Sequence, residues 1–457
     1  MDRAPETDYW TLLSCPRCGG RLAPGNELRC EACGCLYPLV DGIPWLCAEP
    51  QATLGAWRTR MRALTTELEA QAARYRSALE PGVTLAATRN RLKLLSSACS
   101  DHARRLSALL APLEVAAEAA MPETYRALGS PLPAGQGLTR YYANLHRDWC
   151  WGESENELAY AAVDRALGPV NPGRLLVPGC GAGRLAYDLH VRRSPATTIA
   201  ADLNPLMMII ARRMFAGEHV ELHEFPLAPR DLGCHALLRD LHAPAPAPPG
   251  LWPVVADASQ APFVAGAFDT VVTHWLIDIL DEDFATFAAR LNQWLKPGGR
   301  WVNSGSLFFQ HGDPARCYSI DELPAILLAA GFHDIEVHEE VVPYLSSPAS
   351  RHGRMERLVT FSAVVRERVT PPAPHRNAPR WLERDDLPVP KLPQVESQVL
   401  AMRVHSFVAS QVDGQRTLRD IADILVRERL MPADEALPAV RTFLQRLFAE
   451  AQAPWRP

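Results

Sequence analysis

Short apolar runs alternate with amphipathic stretches over the central half of the chain. Apolar or alternating runs predict strands at residues 174–177, 198–202, 254–257, 267–274, 299–303, 333–339 and 358–366. Between them, apolar residues at three- and four-residue spacing predict helices that begin near residues 184, 204 and 320. Because strands that alternate with helices form a mostly parallel sheet covered on both faces, the pattern predicts a doubly wound α/β domain.

The segments that flank this core differ from it in composition. Residues 56–120 are rich in Ala, Leu, Arg and Glu at helical spacing, which predicts two or three amphipathic helices. Residues 230–250 are rich in proline and leucine and are interpreted as an insertion. The predicted parts are an N-terminal cysteine-rich module at 1–50, a helical segment at 51–135, the core at 136–370, a proline-rich linker at 371–394 and a C-terminal module at 395–457.

The C-terminal module carries helical signals of its own. Asp413-Gly414 is typical of a tight turn, and Thr417 is a suitable N-cap for a following helix. Ile421 and Leu425 lie on the apolar face of that helix, and residues 440–448 predict a further one. Two interpretations stay open, a small winged-helix-like fold and a helical packing or dimerisation module.

A glycine turn joins the first predicted strand to the first helix of the core. Gly179, Gly181 and Gly183 allow the backbone to approach a ligand closely, and the helix N-terminus offers free N–H groups. Asp202 ends the second strand, 19 residues past Gly183, where an acid can bind ribose hydroxyls. Arg184 occupies the position at which a dinucleotide fingerprint has its last glycine. The Gly-x-Gly-x-Gly form resembles the S-adenosylmethionine (SAM) site of class I methyltransferases.

Four polar residues follow predicted strands of the core. Asp202, Asp257, His274 and Asp278 lie at, or just past, the carboxyl ends of the second, third and fourth strands. Ligands of parallel sheets bind outside these ends, so we expect the four side chains to converge on one cleft. For Asp278 alone, a role as helix cap or loop acid is the competing interpretation.

Four of the eleven cysteines form two paired knuckles near the N-terminus. Cys15 and Cys18 have the Cys-x-x-Cys spacing, as do Cys30 and Cys33 eleven residues further on. Thiolates at this spacing close a tetrahedral structural zinc site, with four unrelated thiols as the alternative. Cys35 is a candidate substitute ligand.

Charge and composition restrict the remaining function classes. The 457-residue chain has a formal net charge of −5, which argues against non-specific nucleic-acid binding because that needs a basic surface. No leader-like segment and no run of 18 apolar residues is present. We therefore expect a soluble, cytoplasmic protein that does not contact a membrane, with scattered cysteines kept reduced.

The core also contains motifs that resemble the carnosine N-methyltransferase family. The motifs are Arg147-Asp148-Trp149, residues 177–185, Leu276-Ile277-Asp278 and residues 295–303. The similarity runs from about residue 141 to residue 368, half the chain. It implies SAM as the cofactor and an imidazole nitrogen as the methyl acceptor. The predicted SAM-binding residues are Asn144, Arg147, Gly179, Gly181, Gly183, Asp202, Asp257, Ala258 and His274.

The same resemblance implies the residues that contact the substrate. The family's imidazole-binding Asp corresponds to Asp278, and its substrate-binding His aligns with Gln310, or with His311 after a one-residue slip. A carboxylate that accepts the imidazole N–H would fix the tautomer and stabilise the imidazolium that develops. The family's substrate-contacting tyrosines fall on Arg357 and Leu358, a departure that puts carnosine itself in doubt.

The predicted function is a SAM-dependent N-methyltransferase acting on an imidazole of a histidine-containing small molecule or peptide. The alternatives are another nitrogen or oxygen nucleophile of a natural-product or peptide intermediate, and a SAM-binding scaffold without turnover. Residues 12–46 resemble the zinc-ribbon proteins that activate methyltransferases, and residues 399–448 resemble peptide-chaperone winged helices of ribosomal-peptide pathways. These resemblances imply a protein partner through either module.

Overall fold

The chain forms two compact units, and most of the predicted linker at 371–394 lies outside the described residues. The computed structural model describes residues 9–79, 85–115, 127, 130, 132, 137–260, 262–309, 314–371 and 386–451. Contacts group the chain up to Ala373 into the first unit and the chain from Pro374 to Arg456 into the second. The first unit therefore holds the predicted N-terminal module, the helical segment and the core. Among the described helices, none is long and apolar enough to cross a bilayer.

Thirteen strands are found in the described part of the chain. They are β1 Leu22–Ala23, β2 Glu27–Cys30, β3 Leu36–Val40, β4 Ile43–Leu46, β5 Arg174–Pro178, β6 Thr197–Asp202, β7 Val220–Glu224, β8 Leu237–Leu241, β9 Leu251–Ala256, β10 Phe268–His274, β11 Leu295–Gly305, β12 Phe332–Tyr344 and β13 Arg354–Val365. All except β7 and β8 belong to one eleven-stranded sheet. Each predicted core strand is present, so the α/β prediction is confirmed.

The described helices connect and flank these strands. They are α1 Pro50–Ser77, α2 Ala86–Leu109, α3 Tyr142–His146, α4 Glu153–Leu167, α5 Arg184–Arg193, α6 Pro205–Phe215, α7 Phe284–Trp294, α8 Leu323–Ala329, α9 Pro393–Ser410, α10 Leu418–Arg427 and α11 Ala433–Ala451. A π-helical turn, Arg147–Trp151, lies between α3 and α4. Helix α1 begins six residues before the predicted start, because Pro50 fits the first helical turn, where its missing N–H costs nothing.

Seven strands of the large sheet form the core that the sequence predicts. Their order is β9-β6-β5-β10-β11-β13-β12, parallel from β9 to β11 and antiparallel for β13 and β12. Chain order reverses between β5 and β10, so the carboxyl ends of these strands open a crevice. The residues at 230–250 that the sequence marks as an insertion contribute β8, which pairs with β7 in a separate two-stranded ribbon.

The cysteine-rich module continues the core sheet rather than standing apart from it. Strands β1 to β4 form an antiparallel meander, and β4 then pairs in parallel with β9 through Trp45–Val255 and Leu46–Ala256. An ion pair of 3.1 Å between Arg212 and Asp41 adds a second connection. The module therefore docks on the methyltransferase-like core of its own chain and covers what would otherwise be an exposed sheet edge.

The second unit is a small helical cluster. Helices α9, α10 and α11 share a core that includes Val408, Ile421, Leu425 and Val440. Thr417 caps α10 as predicted, since its hydroxyl accepts the Asp420 N–H at 3.2 Å, and the Thr417 N–H donates to the Asp420 carboxylate at 2.8 Å. Residues 386–451 contain these three helices and no strand, and the choice between the helical and the winged-helix interpretation stays a prediction.

Candidate functional site

The glycine turn after β5 is built by three residues with positive φ. Gly179, Gly181 and Gly183 have φ of 64°, 56° and 84°, a region that side-chain-bearing residues rarely adopt. A Cβ at Gly179 would approach Leu276 to 2.6 Å, and one at Gly183 would approach Phe215 to 2.7 Å. A Cβ at Gly181 would meet nothing within 4 Å. Gly181 therefore faces open space. At Gly179 and Gly183, in contrast, a Cβ would clash with a packed side chain.

Asp202 holds this turn from the end of β6. Its Oδ2 accepts the Gly181 N–H at 2.9 Å, and its Oδ1 accepts the Asn204 N–H at 2.8 Å. Burial raises the pKa of Asp202 to about 6, against the opposing effect of the backbone N–H donors. The acid predicted to bind a ribose thus lies against the glycine turn.

Asp257 follows β9 and is the centre of a second set of bonds. Its Oδ1 accepts the N–H and the hydroxyl of Ser259 at 2.8 and 2.6 Å, and its Oδ2 accepts from the Gln260 amide at 2.9 Å. The Gln260 Oε1 in turn accepts the Ala48 N–H at 2.7 Å. Ala48 lies two residues past β4. One glutamine therefore joins the cysteine-rich module to an acid of the cleft.

The π-helical turn places Arg147 over the cleft. Arg147 is buried, pairs with Asp148 at 2.7 Å and lies 5.4 Å from the centre of the Tyr344 ring. The Trp149 indole donates to the Ala182 carbonyl at 3.0 Å, and Arg184 donates to the Asp148 carbonyl at 2.8 Å. The upstream Arg-Asp-Trp motif is thus bonded directly to the glycine turn.

His274 ends β10 with one ring nitrogen held by the backbone. Its Nδ1 lies 3.1 Å from the Ser304 carbonyl oxygen, which can only accept, so Nδ1 carries the proton. Burial and the nearby Arg147 cation lower the pKa of His274 to about 3. The ring is therefore neutral at ordinary pH, and its Nε2 is an acceptor.

One cavity unites most of the predicted SAM-binding residues. Those that line it are Asn144, Arg147, Gly179, Gly181, Asp202, Asp257, Ala258 and His274. Gly183 is not among the lining residues, because it faces Phe215. The Asn144 Oδ1 is buried and has no hydrogen-bond partner in the described part of the chain.

Asp278 lies beside this cavity rather than among its lining residues. Its neighbours Leu276 and Ile279 line the cavity, while the buried Asp278 carboxylate accepts the Ser306 hydroxyl. Burial raises the pKa of Asp278 above its ordinary value. Of the four polar residues that we expected to converge on one cleft, Asp202, Asp257 and His274 line the cavity and Asp278 does not. Gln310 and His311 lie outside the described residues.

Several lining residues were missed by the sequence analysis. Tyr344 and Trp275 form an aromatic pair at 4.7 Å between ring centres, and Tyr141 is another aromatic lining residue. Glu155 in the first turn of α4 accepts the N–H groups of Leu345 and Ser346 at 2.9 and 2.8 Å. An aromatic cluster at residues 141–151 signals Tyr141, but no local pattern connects Tyr344 to a site almost 200 residues upstream.

The four predicted cysteine ligands converge in the N-terminal module. Cys15 and Cys33 have their sulfur atoms 3.7 Å apart, Cys18 and Cys30 have theirs 3.5 Å apart, and all four lie within 4.8 Å of one another. Tetrahedral zinc with Zn–S bonds of about 2.3 Å separates its sulfurs by about 3.8 Å. Cys35 is not part of the group. The donor set and spacing fit a zinc ion.

The two knuckles have the same backbone design. The Gly19 N–H bonds to the Cys15 carbonyl at 2.7 Å, and the Gly34 N–H bonds to the Cys30 carbonyl at 3.0 Å. Cys35 therefore occupies in the second knuckle the place that Gly20 occupies in the first. This equivalence explains why Cys35 stays outside the sulfur cluster.

Comparison with known proteins supports the enzyme class. Residues 176–302 match the family described as methyltransferase domain. The match includes the glycine turn, Asp202, Asp257, His274 and Asp278. The chain carries a class I SAM-dependent methyltransferase domain. No protein with a curated description matches the sequence.

Similar solved structures include three methyltransferases. Phosphoethanolamine N-methyltransferase 2 of Haemonchus contortus, in complex with SAM, is 18% identical with a TM-score of 0.34, over 52% of this chain and 62% of that one. The chain thus spans less than two thirds of that protein. A possible histamine N-methyltransferase of Thermotoga maritima is 16% identical (TM-score 0.29; 48% and 98% covered). N-methyltransferase NodS of Bradyrhizobium japonicum is 13% identical (TM-score 0.31; 47% and 97% covered).

Proposed function

We propose that this chain is an N-methyltransferase that methylates an imidazole nitrogen of a histidine-containing small molecule or peptide. The observation that supports the imidazole most directly is the environment of Asp278. This carboxylate is buried beside the cavity, and in the described part of the chain its hydrogen-bonding and charged neighbours include no arginine or lysine. A buried carboxylate without a cation is a suitable acceptor for a substrate N–H.

The residues around the glycine turn fit SAM. The open space at Gly181 leaves room for a ligand against the backbone, and the unpartnered Asn144 Oδ1 can accept from an ammonium group. Asp202 and Asp257 can accept from ribose and adenine donors respectively. When bound, SAM supplies an electrophilic methyl group on a sulfonium.

The role that we assign to Asp278 is orientation followed by proton acceptance. A neutral imidazole has one N–H and one lone pair, so a carboxylate that accepts the N–H directs the other nitrogen towards the methyl donor. A bond forms between that nitrogen and the methyl carbon as the carbon–sulfur bond breaks. The N–H proton then becomes acidic, and the raised pKa of Asp278 favours its uptake by the carboxylate.

His274 supports a second candidate, another nitrogen or oxygen nucleophile of a natural-product or peptide intermediate. Its Nε2 is an acceptor in the cavity, since Nδ1 donates to Ser304. An acceptor there can take a hydrogen bond from an amine or a hydroxyl, and so orient it, as readily as from an imidazole. The helical second unit would deliver such an intermediate as a peptide-binding module.

One experiment separates these functions. The full chain is incubated with SAM and a panel of histidine, histidine dipeptides, histidine-bearing peptides and matched amine or hydroxyl analogues. Mass spectrometry then locates a gain of one methylene group. Methylation of imidazole compounds alone supports the proposal, whereas methylation of the analogues alone supports the second candidate. SAM binding in calorimetry without any product would identify a scaffold and contradict both.

We also infer that zinc occupies the cysteine cluster and has a structural role. Four thiolates fill all tetrahedral positions, so no position remains for a catalytic water. The pairing of β4 with β9 supports a function of this module within its own chain. Binding of a partner protein through this module or through the second unit is a separate proposal.

A further inference from the structure

The ribbon of β7 and β8 ends in a cluster that the methyltransferase site does not use. Val220 pairs with Leu241, so the residues just outside this pair, His219 and His242, are brought side by side. Their imidazole rings stack with centres 5.1 Å apart and planes 20° apart. Two histidines that are 23 positions apart in the sequence therefore present their rings together at one end of the ribbon.

A carboxylate completes the cluster. The Nδ1 atoms of His219 and His242 lie 2.9 and 3.6 Å from the same oxygen, Oδ2 of Asp240. A tetrahedral ion with bonds of about 2.0–2.1 Å holds its ligand atoms about 3.3 Å apart. The observed distances lie on either side of that value, and all three ligand atoms fall within 4.8 Å of one another.

The charges around the cluster favour a cation. The other acids of the ribbon are paired with arginine, Glu221 with Arg105 at 2.9 Å and Glu224 with Arg239 at 2.7 Å. Asp240 has no arginine or lysine within ion-pair distance in the described ranges, and its charge partners there are the two histidines. Glu221, which lies opposite Asp240 on β7, is neutralised by Arg105. Its carboxylate is therefore available to balance a bound cation. The three side chains are 47–65% exposed, so an ion can reach them from solvent.

We propose that His219, Asp240 and His242 form a second metal site, which binds a borderline transition-metal dication such as Zn²⁺ or Ni²⁺. Two imidazoles and one carboxylate suit these ions, and water fills the remaining positions. Ca²⁺ and Mg²⁺ are disfavoured because they prefer oxygen ligands. The ion connects the residue before the start of β7 with the residue after the end of β8.

The site has a direct connection to the methyltransferase cleft. The backbone N–H of His242 donates to the Trp149 carbonyl at 3.1 Å, and the Trp149 indole donates to the Ala182 carbonyl in the glycine turn. An ion on His242 therefore braces the π-helical turn that carries Arg147. The role is structural support, because the cluster lines no part of the cavity.

The test uses the full chain without an affinity tag and with the cysteine cluster already loaded with zinc. Titration with Ni²⁺ and with Zn²⁺ in a calorimeter should show one further equivalent, and Ca²⁺ should show none. His219→Ala, Asp240→Asn and His242→Ala should each weaken this binding at least about tenfold, since each removes one of three protein ligands. His338→Ala, which alters an exposed histidine on β12, should leave it unchanged.

A second readout excludes a folding artefact. The three substituted side chains are exposed, so the thermal midpoint of the zinc-loaded variants before further metal is added should stay close to that of the unaltered chain. Added Ni²⁺ should then raise the midpoint of the unaltered chain and of His338→Ala only. Absence of a further equivalent, or equal binding by all four variants, would overturn the proposal.

Discussion

The backbone N–H of Gly181 donates a 2.9 Å hydrogen bond to the carboxylate of Asp202. The bond joins the turn after β5 to the end of β6. The acid predicted to bind the ribose therefore also fixes the conformation of the glycine turn. Because only an ionised carboxylate accepts with both oxygens, the protonation state of Asp202 controls the turn and its contact with a ribose.

SAM affinity should depend on pH through Asp202. Burial raises the pKa of this carboxyl to about 6, and ligand hydroxyls favour its ionised form. We expect the dissociation constant of SAM to rise as pH falls below about 6, by at most about tenfold per pH unit because one proton is involved. Calorimetry from about pH 5 to pH 8 measures this, and Asp202→Asn should bind SAM more weakly at pH 8 without the pH dependence.

The stability of the unliganded chain should change with pH in the opposite sense. The folded Asp202 retains a proton up to about pH 6, whereas the unfolded carboxyl releases it near its ordinary value of 3.8. The free energy of unfolding should therefore fall as pH rises between these values. Urea unfolding of the unaltered chain and of Asp202→Asn isolates this contribution. A SAM affinity that stays flat down to pH 5 would contradict the first expectation, and an unfolding free energy with the same pH dependence in both chains would contradict the second.

Two glycine variants should separate ligand space from packing. Gly181→Ala adds a Cβ to open space in the cavity, whereas Gly183→Ala places one 2.7 Å from Phe215. Both have positive φ and share a backbone cost of about 1–2 kcal/mol, so the difference between them reports their surroundings. We expect Gly183→Ala to be less stable than Gly181→Ala by about 1–3 kcal/mol in urea unfolding. Gly181→Ala should lose more SAM affinity. Equal stability of the two variants would contradict the assignment of Gly183 to packing and of Gly181 to ligand space.

The cysteine cluster should hold one zinc per chain. Cys15→Ser removes a ligand and should lower the zinc content of the purified protein by more than about half an equivalent relative to the unaltered chain, while Cys35→Ser should leave it unchanged. Chelation should lower the thermal stability of the unaltered chain, because the metal stabilises the meander that β4 anchors to β9. Loss of zinc in Cys35→Ser but not in Cys15→Ser would show that the ligand set is different.

Gln260 should transmit the state of the cysteine-rich module to the SAM site. Gln260→Ala removes the bonds to Ala48 and Asp257, each with a net worth of about 1 kcal/mol. We expect SAM affinity to fall about three- to tenfold because Asp257 loses a fixed position. Gln293→Ala is the matched control, since that side chain donates to the Val369 carbonyl at 2.6 Å, away from Asp257 and Ala48. If Gln260→Ala and the unaltered chain bind SAM with equal affinity in calorimetry, Gln260 does not act on the SAM site and has a packing role.

Asp278 should affect turnover far more than cofactor binding. Asp278→Asn keeps the shape but removes the charge that stabilises an imidazolium, so turnover should fall at least about 10²-fold. SAM affinity should stay within about threefold, because Asp278 does not line the cavity. Asp321→Asn, a change of an exposed acid on the same domain, is the control. Turnover that matches the unaltered chain would remove Asp278 from the mechanism, and a loss of SAM affinity would place it in the cofactor pocket.

Strand prediction succeeded where burial is local and continuous. Strands β5, β6 and β10 agree with the predicted ranges to within about one residue, because each is a short apolar run between turn signals. Strand β12 extends five residues past its predicted end, since pairing with β13 sustains an alternating, half-exposed segment. Tyr344 lies in that extension, which is why its place beside Arg147 escaped the sequence analysis.

The sequence by itself determined the elements whose cause is local. Glycine spacing specifies the turn at 179–183, the strand period places Asp202 and Asp257 at carboxyl ends, and two Cys-x-x-Cys knuckles define a metal-type cluster. Only the tertiary structure decided that β4 pairs with β9, that Asp278 turns to Ser306 and that His219 meets His242. These contacts join positions far apart in the chain, and their choice depends on which sheet edge and which face remain free once the core has packed, a property that no short window of sequence contains.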